Sequence, residues 1–173
     1  MTETTPYDAD RARFTRQALA RLVLCDHAVD VADGAAGMVA TENDPDTGPG
    51  GRVSQAFQLI ELAERALVSA VIYERERGSS WTEIGPYLGI GPEEAEERFA
   101  SNLDGWHTAF DVPYQLDGTG RRRIPQLPTA AYDPAWACEN LDRWAYLQRI
   151  GIDAVSSGLP MAVPEEESPS ITP

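Results

Sequence analysis

Apolar residues recur at helical spacing along most of the chain, and turn residues separate the runs. Phe14, Ala18, Leu22, Cys25 and Val29 step by three or four. They predict a first helix from Asp8 or Asp10 to about Ala32, with acidic residues at its positive end. Gly34 and Gly37 supply its stop. Residues 41–52, Thr-Glu-Asn-Asp-Pro-Asp-Thr-Gly-Pro-Gly-Gly-Arg, are turn chemistry and read as a mobile loop. A second, long helix is predicted from Val53 to Arg77. Its core stripe is Val53, Phe57, Ile60, Leu67 and Val71, widened by Leu59, Ala63, Ala66 and Ala70. Gly78 is placed to cap its end.

The next stretch is the most sharply punctuated. Ser80-Trp81-Thr82-Glu83 has the form of a capping box, which opens a short helix through Ile84 and Leu88. Pro86 removes an amide donor inside it, so a kink or an early end is expected. Gly89 ends that helix, and Gly91-Pro92 starts another with proline at the first helical position. Ala95, Phe99, Leu103 and Trp106 form its apolar face. Residues 112–127 surround the turn Asp117-Gly118-Thr119-Gly120 and predict a short β-hairpin, limited in length by Pro113 and Pro125. Asp133-Pro134 opens a last helix with Trp136, Leu141, Trp144, Ala145 and Leu147 on its stripe, closed by Gly151.

The fold class expected is therefore all-α, a bundle of about five helices with that one hairpin. Residues 1–7 read as a flexible N-terminus and 8–151 as a single α-helical domain. Residues 152–173, with Glu165-Glu166-Glu167, read as an acidic disordered tail.

Within residues 67–99, the end of a long helix at Arg77-Gly78 is followed by Ser80-Trp81-Thr82-Glu83-Ile84-Gly85 and Leu88-Gly89-Ile90. Ala95 and Arg98-Phe99 complete the pattern. This segment resembles the helix-turn-helix of actinobacterial regulators and of the DNA-reading region of sigma factors. The resemblance covers about one fifth of the chain and implies a helix-turn-helix-like pair over residues 79–105. In such regulators the second helix carries polar and basic residues toward phosphates and base edges. Here the matching positions hold Glu93, Glu94, Glu96 and Glu97, with Arg98 the single positive charge. Phosphates repel carboxylates, so this helix is a poor reader of DNA.

Charge deepens the contrast. The chain of 173 residues has net charge −14, and all 14 of its basic residues are arginine. An acidic surface of this kind excludes a general nucleic-acid coat or an anionic-membrane binder. No apolar run is long enough to span a bilayer. The missing lysines fit a GC-rich coding bias. Two cysteines and no signal-like N-terminus point to the cytoplasm.

The leading expectation is a non-catalytic cytoplasmic regulatory or interaction protein. Its acidic face, Glu93, Glu94, Glu96 and Glu97, would meet a partner protein with a basic surface, while its apolar helices could pair with a second copy as a homodimer. The plainer alternative is that these glutamates are simply a solvated face of core helices. A DNA-binding regulator would instead use Arg121, Arg122 and Arg123 on the hairpin, with Arg11, Arg13 and Arg16 as further phosphate contacts. An enzyme with an unrecognised active site ranks third.

No phosphate loop or dinucleotide fingerprint is present. Cys25, His27, His107 and Cys138 lack the close pairing of zinc ligands, and Glu61 and Glu64 lack the Glu-x-x-His partner of a di-iron bundle. Neither metal nor cofactor is expected. Trp81, Trp106, Trp136 and Trp144 read as core anchors, with Trp136 and Trp144 alternatively marking an interface.

Overall fold

The computed structural model describes residues 5–39, 41, 44 and 47–162. The first described residues form a capping box. The Thr5 hydroxyl accepts the Asp8 amide at 3.3 Å, and the Asp8 carboxylate accepts the Thr5 amide at 2.8 Å. This starts helix α1, Pro6–Ala12. Helix α2, Arg16–Val39, is separate, so the expectation of one helix from Asp8 to Ala32 is corrected. Thr15 is the cause. Its hydroxyl accepts the Ala18 amide at 3.1 Å and caps a new helix, while Phe14 bridges to Met161 instead of continuing α1.

Helix α2 runs antiparallel to α3, Gly51–Glu76. Arg16 meets Glu76, His27 meets Ser69 and Asp30 meets Arg65. Gly34 lies against Leu62, whose Cδ1 would be 3.0 Å from a Cβ at that position. Then follow α4, Trp81–Leu88, and α5, Pro92–Asp111. Strands β1, Tyr114–Leu116, and β2, Arg123–Pro125, pair antiparallel with Gln115 opposite Ile124. Helices α6, Thr129–Tyr132, and α7, Pro134–Leu147, complete the set. The fold is all-α with one short hairpin, as the pattern predicts. Among the described residues there are seven helices rather than about five, because α1 splits from α2 and α6 precedes the Asp133 cap.

Apolar burial divides in two. The larger core joins α2 to α6 and α7 through Leu19, Leu22, Ala130, Ala131 and Leu141, and Trp106 of α5 reaches into it. The smaller core is Val71, Ile84 and Phe99, flanked by Leu67, Val68, Trp81 and Leu88. The α3 stripe is only partly used. Leu67 and Val71 pack in the smaller core, but Val53, Phe57 and Ile60 are 74%, 62% and 56% exposed. The expectation that the whole stripe is core therefore fails at its N-terminal half. That half extends beyond α4 and α5, and α2 takes the opposite face through Leu59 and Leu62.

Residues 152–162, expected as part of a disordered tail, are ordered instead. The Asp142 carboxylate accepts the Val155 and Ser156 amides at 2.8 and 3.2 Å, starting a 3₁₀ turn at Ser156–Gly158. Leu159 is buried in the larger core, and the Ala162 amide donates to the Arg13 carbonyl at 2.9 Å. Residues 152–162 thus strap the start of α2. Likewise residues 5–7 belong to the first capping box and α1 rather than to a loose end. Residues 1–4 and 163–173, including Glu165–Glu167, lie outside the described residues, as does part of the predicted loop 41–52; Gly51 and Arg52 within it already begin α3.

Candidate functional site

The α4–α5 pair is built by three local devices. The Ser80 hydroxyl accepts the Glu83 amide at 3.3 Å, and Glu83 accepts the Ser80 amide at 2.7 Å. That amide, with the Ser80 hydroxyl donating to the same carboxylate at 2.8 Å, holds the Glu83 carboxyl below its ordinary range. Pro86 does not end α4, which continues to Leu88. The chain then turns at Gly89 with φ 70°, a left-handed conformation suited to glycine. Gly85 allows the turn to close on α4, since a Cβ there would sit 2.8 Å from the Ile90 carbonyl oxygen. Phe99 of α5 and Ile84 of α4 then meet Val71 of α3.

This geometry aims the first turns of α5 outward. Glu93, Glu94, Glu96 and Glu97 are all exposed, and none enters an ion pair among the described residues. Glu93 and Glu94 lie in the first turn, where the helix dipole favours their charge. Arg98 places its guanidinium 5.1 Å from the Phe99 ring centroid. The face is therefore a projecting cluster of carboxylates.

The six arginines assigned to DNA do not gather to answer it. Arg11 is buried, donates to the Tyr132 carbonyl at 3.0 Å, pairs with Asp8 and stacks 4.8 Å from the Tyr132 ring. Arg16 pairs with Glu76 at 3.0 Å and lies 4.7 Å from the Phe110 ring. Arg123 lies 4.0 Å from the Tyr114 ring and 3.7 Å from Asp8. Arg11 and Arg123 are thus held within the fold, while Arg16 stays exposed as it bridges α2 to Glu76. Arg13, Arg121 and Arg122 keep exposed side chains. Asp117 organises the hairpin turn by accepting the Thr119, Arg121 and Arg122 amides at 3.1, 3.1 and 3.2 Å, and its hydrogen bond from the Thr119 hydroxyl leads in holding its carboxyl low.

Among the described residues, the two cysteines and two histidines that could have formed a reactive centre share no hydrogen bond or ion pair between cysteine and histidine. Cys25 Sγ is 2.9 Å from Arg21, and burial pushes its thiol up. Burial likewise pushes Cys138 up to about 11. His27 Nδ1 meets the buried Ser69 hydroxyl at 2.7 Å, whereas His107 lies 3.3 Å from Glu76. Among the described residues no group of three or more His, Cys, Asp and Glu side chains is arranged to hold a metal ion.

Sequence reasoning missed Glu76 as an organiser. The same Oε1 receives Arg16 at 3.0 Å and the Trp106 indole at 2.9 Å, and lies nearest His107. It ties α2, α3 and α5 together beside the α4–α5 turn. Its only sequence signal is a glutamate at the end of an otherwise amphipathic helix.

Trp106 is a core anchor, and Trp144 donates to Asp33 at 3.0 Å. Trp136 is half exposed, which corrects its assignment to the core. Its position on the outer side of α7 explains this, since Ala137, Leu141 and Ala145 take the inner side. A groove of about 870 Å³ between α2, α3 and α5 is floored by Val23, Leu62, Val68 and Trp106, with His27 and Ser69 in its wall. Among the described residues no helix is long and apolar enough to cross a membrane.

A scan of protein-family models finds none that matches the chain, and neither curated proteins nor solved structures give a match.

Proposed function

We propose that this chain is a non-catalytic cytoplasmic regulatory or interaction protein of helix-turn-helix-like build, whose acidic α5 face receives a partner protein with a basic surface. One observation carries this reading. Four carboxylates at the start of α5 project together without ion pairs among the described residues, on a helix fixed by the Ser80 box, the Gly85 turn and Phe99. Charge placed on a rigid helix end steers an oppositely charged partner and suppresses like-charged ones. The same four charges oppose a phosphate backbone. The DNA-binding alternative is weakened further because Arg11, Arg16 and Arg123 are spent on internal contacts.

The test compares the full chain with a variant carrying Glu93→Gln, Glu94→Gln, Glu96→Gln and Glu97→Gln. In capture from the source lysate, the unmodified chain is expected to retain basic proteins that the variant loses. Retention of the unmodified chain on duplex DNA at ~50 mM salt, falling steeply as salt is added, would favour the DNA reading instead.

A further inference from the structure

Helix α3 carries a seven-residue repeat that its own fold leaves largely bare. Val53, Ile60 and Leu67 recur every seven residues, and Ala56, Ala63 and Ala70 recur three positions after each. This spacing puts six side chains on one helix face, alternately large and small. The smaller core uses only its C-terminal end, around Leu67. Beside that end, a groove of about 770 Å³ opens between α3 and α4, lined by Leu67, Ala70, Pro86 and Tyr87. Tyr87 is 93% exposed. One half of the face is thus a projecting ridge, and the other half is the wall of a groove.

We propose that a second copy of this chain covers the face, with the two α3 helices antiparallel about a two-fold axis between Glu61 and Leu62. In that register Val53 faces the partner's Ala70, Ala56 faces the partner's Leu67, and Ile60 faces the partner's Ala63. Every layer sets one large side chain against one alanine, so the helices approach closely without a void. Each bare N-terminal half enters the groove beside the other copy's C-terminal half. The surface is self-complementary, which is the requirement of a two-fold interface. A parallel pairing would set alanine against alanine and leave both grooves unfilled.

The area suits such a pair. Phe57 and Tyr87, at 62% and 93% exposure, offer roughly 300 Å² between them, as aromatic side chains bury about 150–250 Å² each. Val53, Ile60, Leu67 and the alanines extend this toward the ~800 Å² per partner of a stable interface. Each copy carries a net charge of −14, so the copies repel one another and added salt strengthens the pair. That response is opposite to DNA binding. The pairing uses a different surface from the acidic α5 face and stands independently of the role proposed for it.

Sedimentation equilibrium of the full chain at ~50 mM and ~500 mM salt tests the proposal. A monomer–dimer equilibrium is expected, with the association constant larger at high salt. Ile60→Glu places a charge in both central layers and should lower that constant at least about tenfold, or by about 1.4 kcal/mol. Because Ile60 is more than half exposed in the single chain, its melting temperature serves as the check on folding. Ala63→Leu should also weaken the pair by overfilling the layer. Leu147→Glu, on the exposed side of α7, and the four-Gln variant of α5 should both retain it. A monomer at ~100 μM under both salt conditions would overturn the proposal, as would a dimer indifferent to Ile60→Glu. Tighter pairing by Ala63→Leu would overturn the antiparallel register.

Discussion

The two cores of this molecule are unequal, and their difference separates scaffold from presented surface. Around α2, side chains from α5, α6, α7 and the C-terminal strap meet, and Leu19 and Leu22 are almost wholly enclosed. Around Val71 the buried partners among the described residues are Ile84 and Phe99, with half-buried residues closing the edge. The larger core sets global stability. The smaller one holds α4 and α5 at an angle that projects carboxylates into solvent. Thin support is tolerable there because capping and turn geometry supply much of the order.

That contrast can be broken first by cavities. Leu22→Ala should cost about 2–5 kcal/mol and Phe99→Ala about 3–5 kcal/mol, from lost burial and residual void. Their distribution should differ. In native-state hydrogen exchange, Leu22→Ala should lower protection throughout, whereas Phe99→Ala should lower it chiefly in α4 and α5. Equal loss everywhere in both variants would merge the two cores into one cooperative unit.

A smaller effect is expected at the turn. Gly85→Ala should destabilise by about 1–3 kcal/mol, because the new methyl meets the Ile90 carbonyl. Gly37→Ala in α2 has open space around its Cβ and should instead stabilise by about 0.5–1 kcal/mol. Denaturant midpoints of the two variants should move in opposite directions.

Ser80→Ala removes the α4 cap and should cost about 1 kcal/mol. It should also reduce sensitivity to acid in part, since the hydroxyl's bond to Glu83 is lost while the larger cause, the backbone amide's bond, remains. The Glu83 carboxyl is held below its ordinary value, so its stabilisation is present above that value and lost as pH falls through the lowered one. Melting temperatures followed downward from ~pH 6 should therefore drop less steeply in Ser80→Ala than in the unmodified chain. Asp8 and Asp142 keep part of the slope. Thr5 hydrogen bonding lowers Asp8, while burial raises Asp142 less than the combined Ser156 and Val155 bonds lower it.

The smallest expected effect is alkaline and belongs to the larger core. The Cys138 thiol ionises at 9.0 when unperturbed and is pushed up to about 11 by burial. The unfolded chain loses this proton first, so stability declines as pH rises from 9.0 toward about 11. Melting curves of Cys138→Ala should show a shallower decline over that window.

Much of the smaller unit was legible from local chemistry. Ser80 with Glu83, Gly89 and Asp133 each satisfy an open backbone group within a few residues, and Pro92 has no amide to leave open, so sequence neighbours suffice to place them. The errors concern partners far along the chain. Arg11 reads as an exposed cation until Tyr132, distant in sequence, supplies its carbonyl and ring. Phe14 fits a helical stripe until Met161 draws it away, and Asp142 orders a segment whose composition resembles a loose tail. The α3 periodicity correctly marks an apolar face but cannot say how much of it the remaining helices are long enough to cover. Acidic residues on α5 are visible in sequence; that they stand without internal cations depends on where the arginines go.

Those four carboxylates are proposed as a binding surface rather than a solvated face of a core helix. The most direct measurement is quantitative capture of basic lysate proteins by the full chain and by its four-Gln variant, at ~50 mM and ~200 mM salt. Specific capture is expected at low salt, weakening with added salt and disappearing in the variant, while the variant's melting temperature stays within a few degrees of the unmodified chain. Identical capture by both chains, or retention of neither, would contradict a binding role.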